Sequence, residues 1–149
     1  MKIIAIGKKH ASWIMPGVQQ YEVRLRPPFT AEWQLLPYSS RQGEAARKEE
    51  SEAILQRIKP QDYVVVLDET GNIFDSPTLA RTLQSAAARQ SVVLVIGGAY
   101  GVDARVRQRA DVVWSLSKLV FPHMLVRLLL VEQLYRAQEI CRGGPYHHQ

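Results

Sequence analysis

Ser115-Leu116-Ser117-Lys118-Leu119-Val120-Phe121-Pro122-His123 joins the last strand-like run, residues 112–114, to the longest helical pattern of the chain, residues 124–140. The stretch mixes apolar side chains with small hydroxyls, and Pro122 falls where the first position of the helix is expected. Proline is favoured there because its missing N–H would have no intrahelical partner. A strand, a compact loop and a helix start in this order are a common ligand-binding layout, so we expect a binding loop here.

The composition predicts one folded domain that spans residues 1–149. Hydrophobic residues make up 46% of the 149, which is enough for a full core and disfavours disorder. The single cysteine, Cys141, excludes an intrachain disulfide and favours a reducing compartment, so we expect a cytoplasmic protein. The first seven residues read as a strand and are too short for a signal peptide. The apolar run 128–131 is far shorter than the roughly 20 residues of a membrane span.

The chain is basic, and the excess charge lies in its first part. The net charge is +5, and residues 1–60 hold ten basic and six acidic side chains. A basic surface favours a polyanionic partner such as nucleic acid through phosphate contacts, although +5 is also an ordinary charge for solubility. Lys8 and Lys9 directly follow the first strand, at the edge where open α/β sheets bind ligands. They are candidate RNA-binding residues, and a solvated loop is the alternative.

Strand-like and helix-like patterns alternate along the whole chain. Apolar runs predict strands at residues 2–7, 32–36, 63–67, 92–96 and 112–114. Helical spacing of apolar residues predicts helices at residues 11–25, 44–58, 76–89, 103–110 and 124–140. Pro16 places the start of the first of these helices, Ser76 is expected to cap the third with Pro77 at its first position, and residues 68–72 read as a turn. The alternation predicts an α/β fold with a largely parallel sheet.

The last helix is apolar over more than half of its circumference. Its apolar residues are Met124, Leu125, Val126, Leu128, Leu129, Leu130, Val131, Leu134, Tyr135, Ala137 and Ile140. A surface helix has one apolar stripe, so a wider one needs two partners. We expect the sheet on one side and a second copy of the chain on the other, which makes a homodimer through this helix. A helix in the centre of the core is the alternative.

Gly97-Gly98-Ala99-Tyr100-Gly101 follows a buried strand, where a ligand can approach the main chain closely. The loop does not fit the dinucleotide-binding G-x-G-x-x-G pattern, and the chain has no G-K-[ST] sequence. No set of ligand residues has the spacing of a metal site, since His147 and His148 are adjacent and terminal. Ser115 and Ser117 have no readable general base, so covalent catalysis is not indicated.

Several ordered segments together resemble one family, the bacterial pseudouridine N3-methyltransferases of large-subunit (23S) ribosomal RNA, which belong to the SPOUT or α/β-knot class. The resemblance covers essentially the whole chain and is most specific in its C-terminal half. It rests on residues 95–101, the stretch 115–123, Arg127, residues 131–137 and Pro145-Tyr146-His147, with the N-terminal Ile-Ala-Ile-Gly-Lys and the Val-Leu-Asp at residues 66–68. Residues 37–47 are short for the family.

The resemblance implies a parallel sheet flanked by helices on both faces, with a trefoil knot near the C-terminus. Knots are very rare, and nothing in the periodicity indicates this one. The family uses S-adenosyl-L-methionine to methylate N3 of a pseudouridine in large-subunit RNA, acts on the assembled ribosome and forms homodimers. By motif match, the cofactor would contact Leu67, Gly97, Leu116, Ser117, Lys118, Leu119, Val120 and Phe121. Because the sulfonium of the cofactor is cationic, Lys118 is expected to point away from it.

The resemblance leaves the catalytic base open. Candidates for removing the N3 proton are Tyr146 and His147 in the tail, followed by His123, and each has a purely structural alternative. Arg127 and Arg136 are candidates for RNA phosphate contacts or for support of the dimer interface. One protomer is expected to supply the cofactor site while the other presents its tail.

Two other functions remain open for this sequence. One is a non-catalytic ribosome- or RNA-binding module, which the basic surface and the lack of a clear base would fit. The other is a SPOUT methyltransferase that acts on transfer RNA instead of ribosomal RNA.

Overall fold

The computed structural model describes residues 1–147 and contains one five-stranded, wholly parallel sheet. The strands are β1 (Lys2–Ile6), β2 (Glu32–Leu36), β3 (Tyr63–Ile73), β4 (Val92–Ile96) and β5 (Val112–Ser115). The helices are α1 (Met15–Glu22), α2 (Gly43–Leu55), α3 (Ser76–Ala87), α4 (Ala104–Arg109) and α5 (His123–Arg142). The strand order is β2-β1-β4-β3-β5. The predicted α/β fold with a parallel sheet is confirmed.

Helices cover both faces of the sheet, and the side chains of each strand alternate between two cores. In β1, Ile3 faces the core that α1, α3 and α5 cover, whereas Ile4 faces the core that α2 and α4 cover. All five residues of β4 are buried, as expected for a central parallel strand. The sheet is therefore the middle of three layers. The chain crossing that would make a trefoil knot stays a prediction of the resemblance.

Strand β3 is longer than predicted. The turn expected at residues 68–72 does not end it, because Leu67 and Asn72 both pair with Trp114 and the residues between them form an irregularity within the strand. Gly71 makes this possible, since a Cβ atom there would lie 2.6 Å from the main-chain carbonyl carbon of Val113. The extension depends on β5, a partner about 40 residues further along the chain, so local sequence could not reveal it.

The capping positions of two helices differ from prediction by one residue. Asp75, rather than Ser76, caps α3, because its side chain accepts a hydrogen bond of 2.7 Å from the Thr78 N–H. Pro122 occupies the N-cap position of α5, and His123 is the first helical residue. Asp and Ser are both favoured N-cap residues, so residue type alone could not show which of the two caps α3. The backbone torsions decide the position of the cap.

Helix α5 has neighbours on several sides within the same chain. Its buried residues include Leu130, Val131 and Leu134, and the helix packs against both α1 and α3. Much of the wide apolar face is thus covered by other helices of the same chain, which agrees with the alternative prediction of a helix in the centre of the core. Leu125 and Leu129 are only half-buried, so part of the face remains for another partner. Among residues 1–147, no helix has both the length and the hydropathy that crossing a membrane requires.

Candidate functional site

A cleft of about 900 Å³ opens at the carboxyl edge of the sheet. Its walls come from the bulge of β3, the loop between β4 and α4, the loop between β5 and α5, and the first turn of α5. Open parallel sheets bind ligands at this edge because the loops that follow neighbouring strands converge there. The volume lies in the upper part of the range of small-molecule sites.

The cleft collects nearly all of the residues predicted from the resemblance to contact the cofactor. Lys118 is the exception, being exposed and outside the cleft wall. The predicted residues that line the cleft are Leu67, Gly97, Leu116, Ser117, Leu119, Val120 and Phe121. They lie on strand β3 and on two loops that are far apart in sequence, and the fold brings them together. Their contact with a cofactor stays a prediction.

The loop between β5 and α5 is shaped by its two serines. The Ser115 hydroxyl donates to the Ser117 carbonyl at 2.7 Å, and the Leu119 N–H donates to the Ser117 hydroxyl at 3.0 Å. The hydroxyl groups of both serines therefore stabilise local turns. The turn leaves Leu119 and Val120 69% and 74% exposed, so apolar side chains stand at the rim of the cleft.

The glycine loop between β4 and α4 approaches the cleft with its main chain. The Gly101 N–H donates to the Gly98 carbonyl at 3.1 Å, and Gly101 has a φ of 68° that favours glycine. A Cβ atom on Gly97 would lie 2.9 Å from the main-chain carbonyl carbon of Gly101. A side chain on Gly97 would therefore not fit in the loop. Without one, the main chain of Gly97 forms part of the cleft wall.

Charged residues that sequence reasoning did not assign to the site also line the cleft. Asp68 accepts hydrogen bonds from the Thr70 N–H at 2.9 Å and hydroxyl at 2.6 Å, and Arg107 lies 3.4 Å away. Burial alone would raise the pKa of Asp68, but these bonds and the Arg107 guanidinium together lower it. Arg47 contributes a second guanidinium from α2. In the sequence, the position of Asp68 directly after a buried apolar run could have indicated a site residue. Arg47 and Arg107 have no such feature apart from their charge.

His123 lies at the cleft in a small polar cluster. Its Nε2 atom is hydrogen-bonded to the Tyr38 hydroxyl at 2.8 Å, and its pKa is lowered by burial and then by Arg127. The same two causes lower the pKa of His10. A neutral imidazole at this position can accept a proton, so His123 stays a candidate base. Tyr38 was not identified from the sequence, because its partner lies 85 residues away.

Arg127, a candidate phosphate contact by sequence, is completely buried. Its guanidinium donates to the carbonyl oxygens of Ile6 at 2.7 Å, Gly7 at 3.1 Å and Lys9 at 3.0 Å. A guanidinium held inside the protein in this way does not reach an RNA phosphate. The prediction that Arg127 contacts an RNA phosphate directly is therefore wrong.

Glu50 is a buried carboxyl at the back of the glycine loop. One oxygen accepts a 3.0 Å hydrogen bond from the Ser39 N–H, while the other is buried against Gly98 and has no hydrogen-bond partner among the described residues. Burial raises the pKa of Glu50; the Ser39 bond opposes this shift and Glu49 adds to it. Glu50 thus links the loop after β2 to the loop after β4.

The tail residues Tyr146 and His147 do not form part of the cleft wall of their own chain. The Tyr146 hydroxyl donates to Glu132 at 3.1 Å and lies 3.3 Å from the Tyr21 hydroxyl, on the α1–α5 side of the molecule. Burial, Tyr21 and Glu132 raise the pKa of Tyr146, so it stays protonated in this position. His147 Nδ1 is 3.5 Å from Arg136. For the tail to act in catalysis, it would therefore have to reach the cleft of a second protomer or move from this position.

The remaining RNA-binding candidates differ in exposure. Lys8 and Lys9 are exposed on the loop after β1. Arg136 is half-buried and forms a 2.5 Å ion pair with Glu132, as the spacing of four residues predicted. No group of three or more potential metal ligands occurs within residues 1–147.

The chemistry of the cleft suits a ligand with an apolar ring system and a charged end. Leu67, Leu116 and Leu119 provide apolar walls, and the glycine and serine loops provide main-chain groups that can read polar ring edges. Arg47 and Arg107 offer donors for a carboxylate.

Comparisons with known proteins agree with the resemblance. A family model described as "Predicted SPOUT methyltransferase" matches residues 1–147. A protein from Desulfitobacterium hafniense named "Ribosomal RNA large subunit methyltransferase H" is 38% identical over 156 residues, covering 99% of this chain and 98% of its own. Proteins of the same name from Synechococcus sp. (43% identical; 99% and 93% covered) and Francisella tularensis subsp. novicida (36% identical; 99% and 98% covered) are also similar.

Proposed function

The chain belongs to the SPOUT methyltransferase family, and from this premise we propose that it methylates N3 of a pseudouridine in large-subunit ribosomal RNA, using S-adenosyl-L-methionine as methyl donor. Near-full-length similarity to relatives named for large-subunit RNA methylation is the observation that carries this proposal. The residues that line the cleft support the same reaction.

The volume of the cleft and the chemistry of its lining support binding of this cofactor. The adenine ring would lie between Leu67, Leu116 and Leu119, with its polar edge read by the main chain of the 115–121 loop. Gly97 lets the main chain approach the methionine portion closely. Lys118 is exposed and does not line the cleft, so its charge would not stand in the cleft wall beside the sulfonium.

The bound cofactor would supply an activated methyl group for transfer to N3, with its sulfur as the leaving group. The N3 proton must leave, and His123, neutral and hydrogen-bonded to Tyr38, can accept it within the cleft. Most of the acceleration is expected from alignment of the nucleophile with the methyl group. The protein's part is to hold both partners in line and to exclude water.

The assembly and the cellular setting follow from this function. We propose a homodimer through the half-buried residues of α5, including Leu125 and Leu129, and one methyltransferase domain over residues 1–149. The substrate would be the assembled ribosome, which places the protein in the cytoplasm.

The proposal is tested by mass spectrometry of RNA from a strain in which the gene is deleted. We expect N3-methylpseudouridine to disappear from large-subunit RNA and to return when the wild-type gene is restored. An unchanged level would contradict the proposal and favour a non-catalytic ribosome-binding module. A loss confined to transfer RNA would assign the methyltransferase another substrate.

Cofactor use is tested separately with the purified protein. Calorimetric titration with S-adenosyl-L-methionine or S-adenosylhomocysteine should give saturable heat. The absence of both heat and any melting shift would contradict the assignment of the cofactor.

A further inference from the structure

Arg127 is among the largest fully buried side chains of the structure. Its nearest polar partners are the carbonyl oxygens of Ile6, Gly7 and Lys9 together with His10 Nδ1 at 3.3 Å, and no carboxylate pairs with it within residues 1–147. Burial lowers its pKa from an ordinary value so high that the group stays charged. The protein therefore keeps a cation inside without a counter-ion, an arrangement that costs free energy unless something offsets it.

The hydrogen bonds of Arg127 all go to one short segment, the end of β1 and the loop that follows it. Three of the four are to main-chain carbonyls, so they fix the path of the backbone whatever the side chains are. Gly7 has a φ of 117°, and a Cβ atom there would lie 2.8 Å from the Arg127 guanidinium. The path of the loop and the position of the guanidinium are thus mutually dependent.

The loop that Arg127 fixes carries two exposed lysines, Lys8 and Lys9. The buried charge beneath it adds to their field, because a charge in a low-dielectric interior is screened less than one in water. Residues 7–10 do not line the cleft themselves, but the loop lies beside it. The Tyr38 hydroxyl, which is hydrogen-bonded at 2.8 Å to His123 at the cleft wall, lies directly against Gly7. The position suits a polyanionic chain that passes the mouth of the cleft.

We infer that the loop of residues 7–10 is a phosphate-binding surface for the RNA backbone next to the target nucleotide, with Arg127 as the positioning residue that presents it. Lys8 and Lys9 contact the phosphates, while Arg127 touches none and acts through the backbone of the loop. This inference rests on the proposed function for the identity of the polyanion.

The test measures how binding to large ribosomal subunits from the deletion strain depends on salt. Filter binding of the full-length protein between 50 and 200 mM KCl, at constant Mg²⁺, gives a slope of log K against log salt that counts phosphate contacts, at about 0.7–0.9 per phosphate. We expect Lys8→Ala/Lys9→Ala to reduce this slope by about 1 to 2. Arg89→Ala, which removes an exposed positive charge beyond the end of α3, is the matched control and should leave the slope unchanged.

Arg127→Met should reduce the slope as the lysine variant does, although the arginine is inaccessible to RNA. Adding it to Lys8→Ala/Lys9→Ala should cause little further loss, because both changes act on the same contacts. Cofactor titration and thermal melting show whether each variant is folded. If Arg127→Met does not fold, Arg127→Lys, which keeps the charge but loses the fork of donors, should give an intermediate slope.

Each result bears on a separate claim. A slope unaltered in Lys8→Ala/Lys9→Ala overturns the phosphate-binding surface. A slope that changes with the lysines but not with folded Arg127 variants, or changes that add fully, overturns the positioning role. Wild-type protein that binds subunits with a salt-dependent slope but transfers no methyl group overturns the proposed function and leaves the surface in place.

Discussion

Glu50 lies on the inner side of α2, where its two carboxylate oxygens meet different surroundings. One is bonded to the Ser39 N–H, and the other is buried against Gly98 without a partner in the described chain. A buried polar atom that lacks a partner costs about 1–3 kcal/mol. The unpaired oxygen of Glu50 therefore opposes the stability of the fold at the point where the loop after β2 meets the loop after β4.

Glu50→Gln is expected to change the pH dependence of stability. Because the pKa of Glu50 is raised in the folded state, the unfolded chain loses its proton first, and stability falls as the pH rises from about 4.5 through the raised value. Glutamine lacks this ionisation, so the melting temperature of the variant should increase relative to wild type over that interval. Thermal melts at a series of pH values measure the difference.

The control for this series is Glu69→Gln, which removes an exposed carboxylate. Its melting temperature should follow that of the wild type at every pH. A difference between Glu50→Gln and wild type that is constant with pH would show that Glu50 does not titrate in this way.

At the scale of elements, α5 serves the core, the cleft and the proposed interface. Its first turn gives His123 to the cleft, its middle buries Leu130 and Leu134 against the sheet layer, and its partly exposed side leaves Leu125 and Leu129 half-covered. Apolar residues left partly exposed on a helix that already has partners in its own chain are the natural site for a second copy.

Leu129→Glu should convert the dimer to monomers, because it places a charge on the half-buried side of α5. Sedimentation velocity measures the change, and circular dichroism confirms that the variant is folded. Val23→Glu, a charge introduced at an apolar residue that is 69% exposed after α1, is the control and should remain dimeric. Leu130 is unsuitable as a probe, since it is completely buried and a charge there would disrupt the core. A folded, dimeric Leu129→Glu would exclude this side of α5 from the interface.

At the scale of the whole molecule, the tail and the cleft of one chain are separate. Tyr146 is held by Glu132 and Tyr21 on the α1–α5 side, whereas the cleft opens at the carboxyl edge of the sheet. If the tail takes part in catalysis, a second protomer can bring its own tail to this cleft. In that arrangement the dimer would be required for activity.

Mixing two inactive variants should restore activity. Gly97→Val blocks the cofactor loop, because its side chain would collide with the Gly101 main chain, and Tyr146→Ala/His147→Ala removes the tail side chains. After joint refolding, about half of the random dimers contain one of each, and each has one intact site composed of both chains, so about a quarter of wild-type methyl transfer is expected.

The two variants refolded separately and then mixed, without exchange of subunits, are the control and should stay inactive. No recovery after joint refolding, with mixed dimers verified by differential tagging, would place the tail and the cleft of an active site in the same chain.

The α/β class, the presence of five strands and the loops that line the cleft could all be predicted from residue patterns and motifs. Continuous apolar runs such as residues 92–96 are visible locally, because a parallel strand buried on both faces has no polar positions. The match to the family's motifs grouped Leu67, Gly97 and Leu119, and the structure places all three at the cleft because a parallel sheet brings the ends of its strands to one edge.

The roles of several polar residues depend on contacts between distant segments and could not be predicted from the sequence. Arg127 has the sequence appearance of a surface cation, yet its helix turns it under the β1 loop, where carbonyl groups more than 100 residues away bind it. Strand β3 continues past Leu67 because β5 supplies the pairing, and Glu50 is buried because Gly98 leaves room for it. Burial and hydrogen-bond partners arise from contacts between distant segments, whereas periodicity and residue type report only on neighbours along the chain.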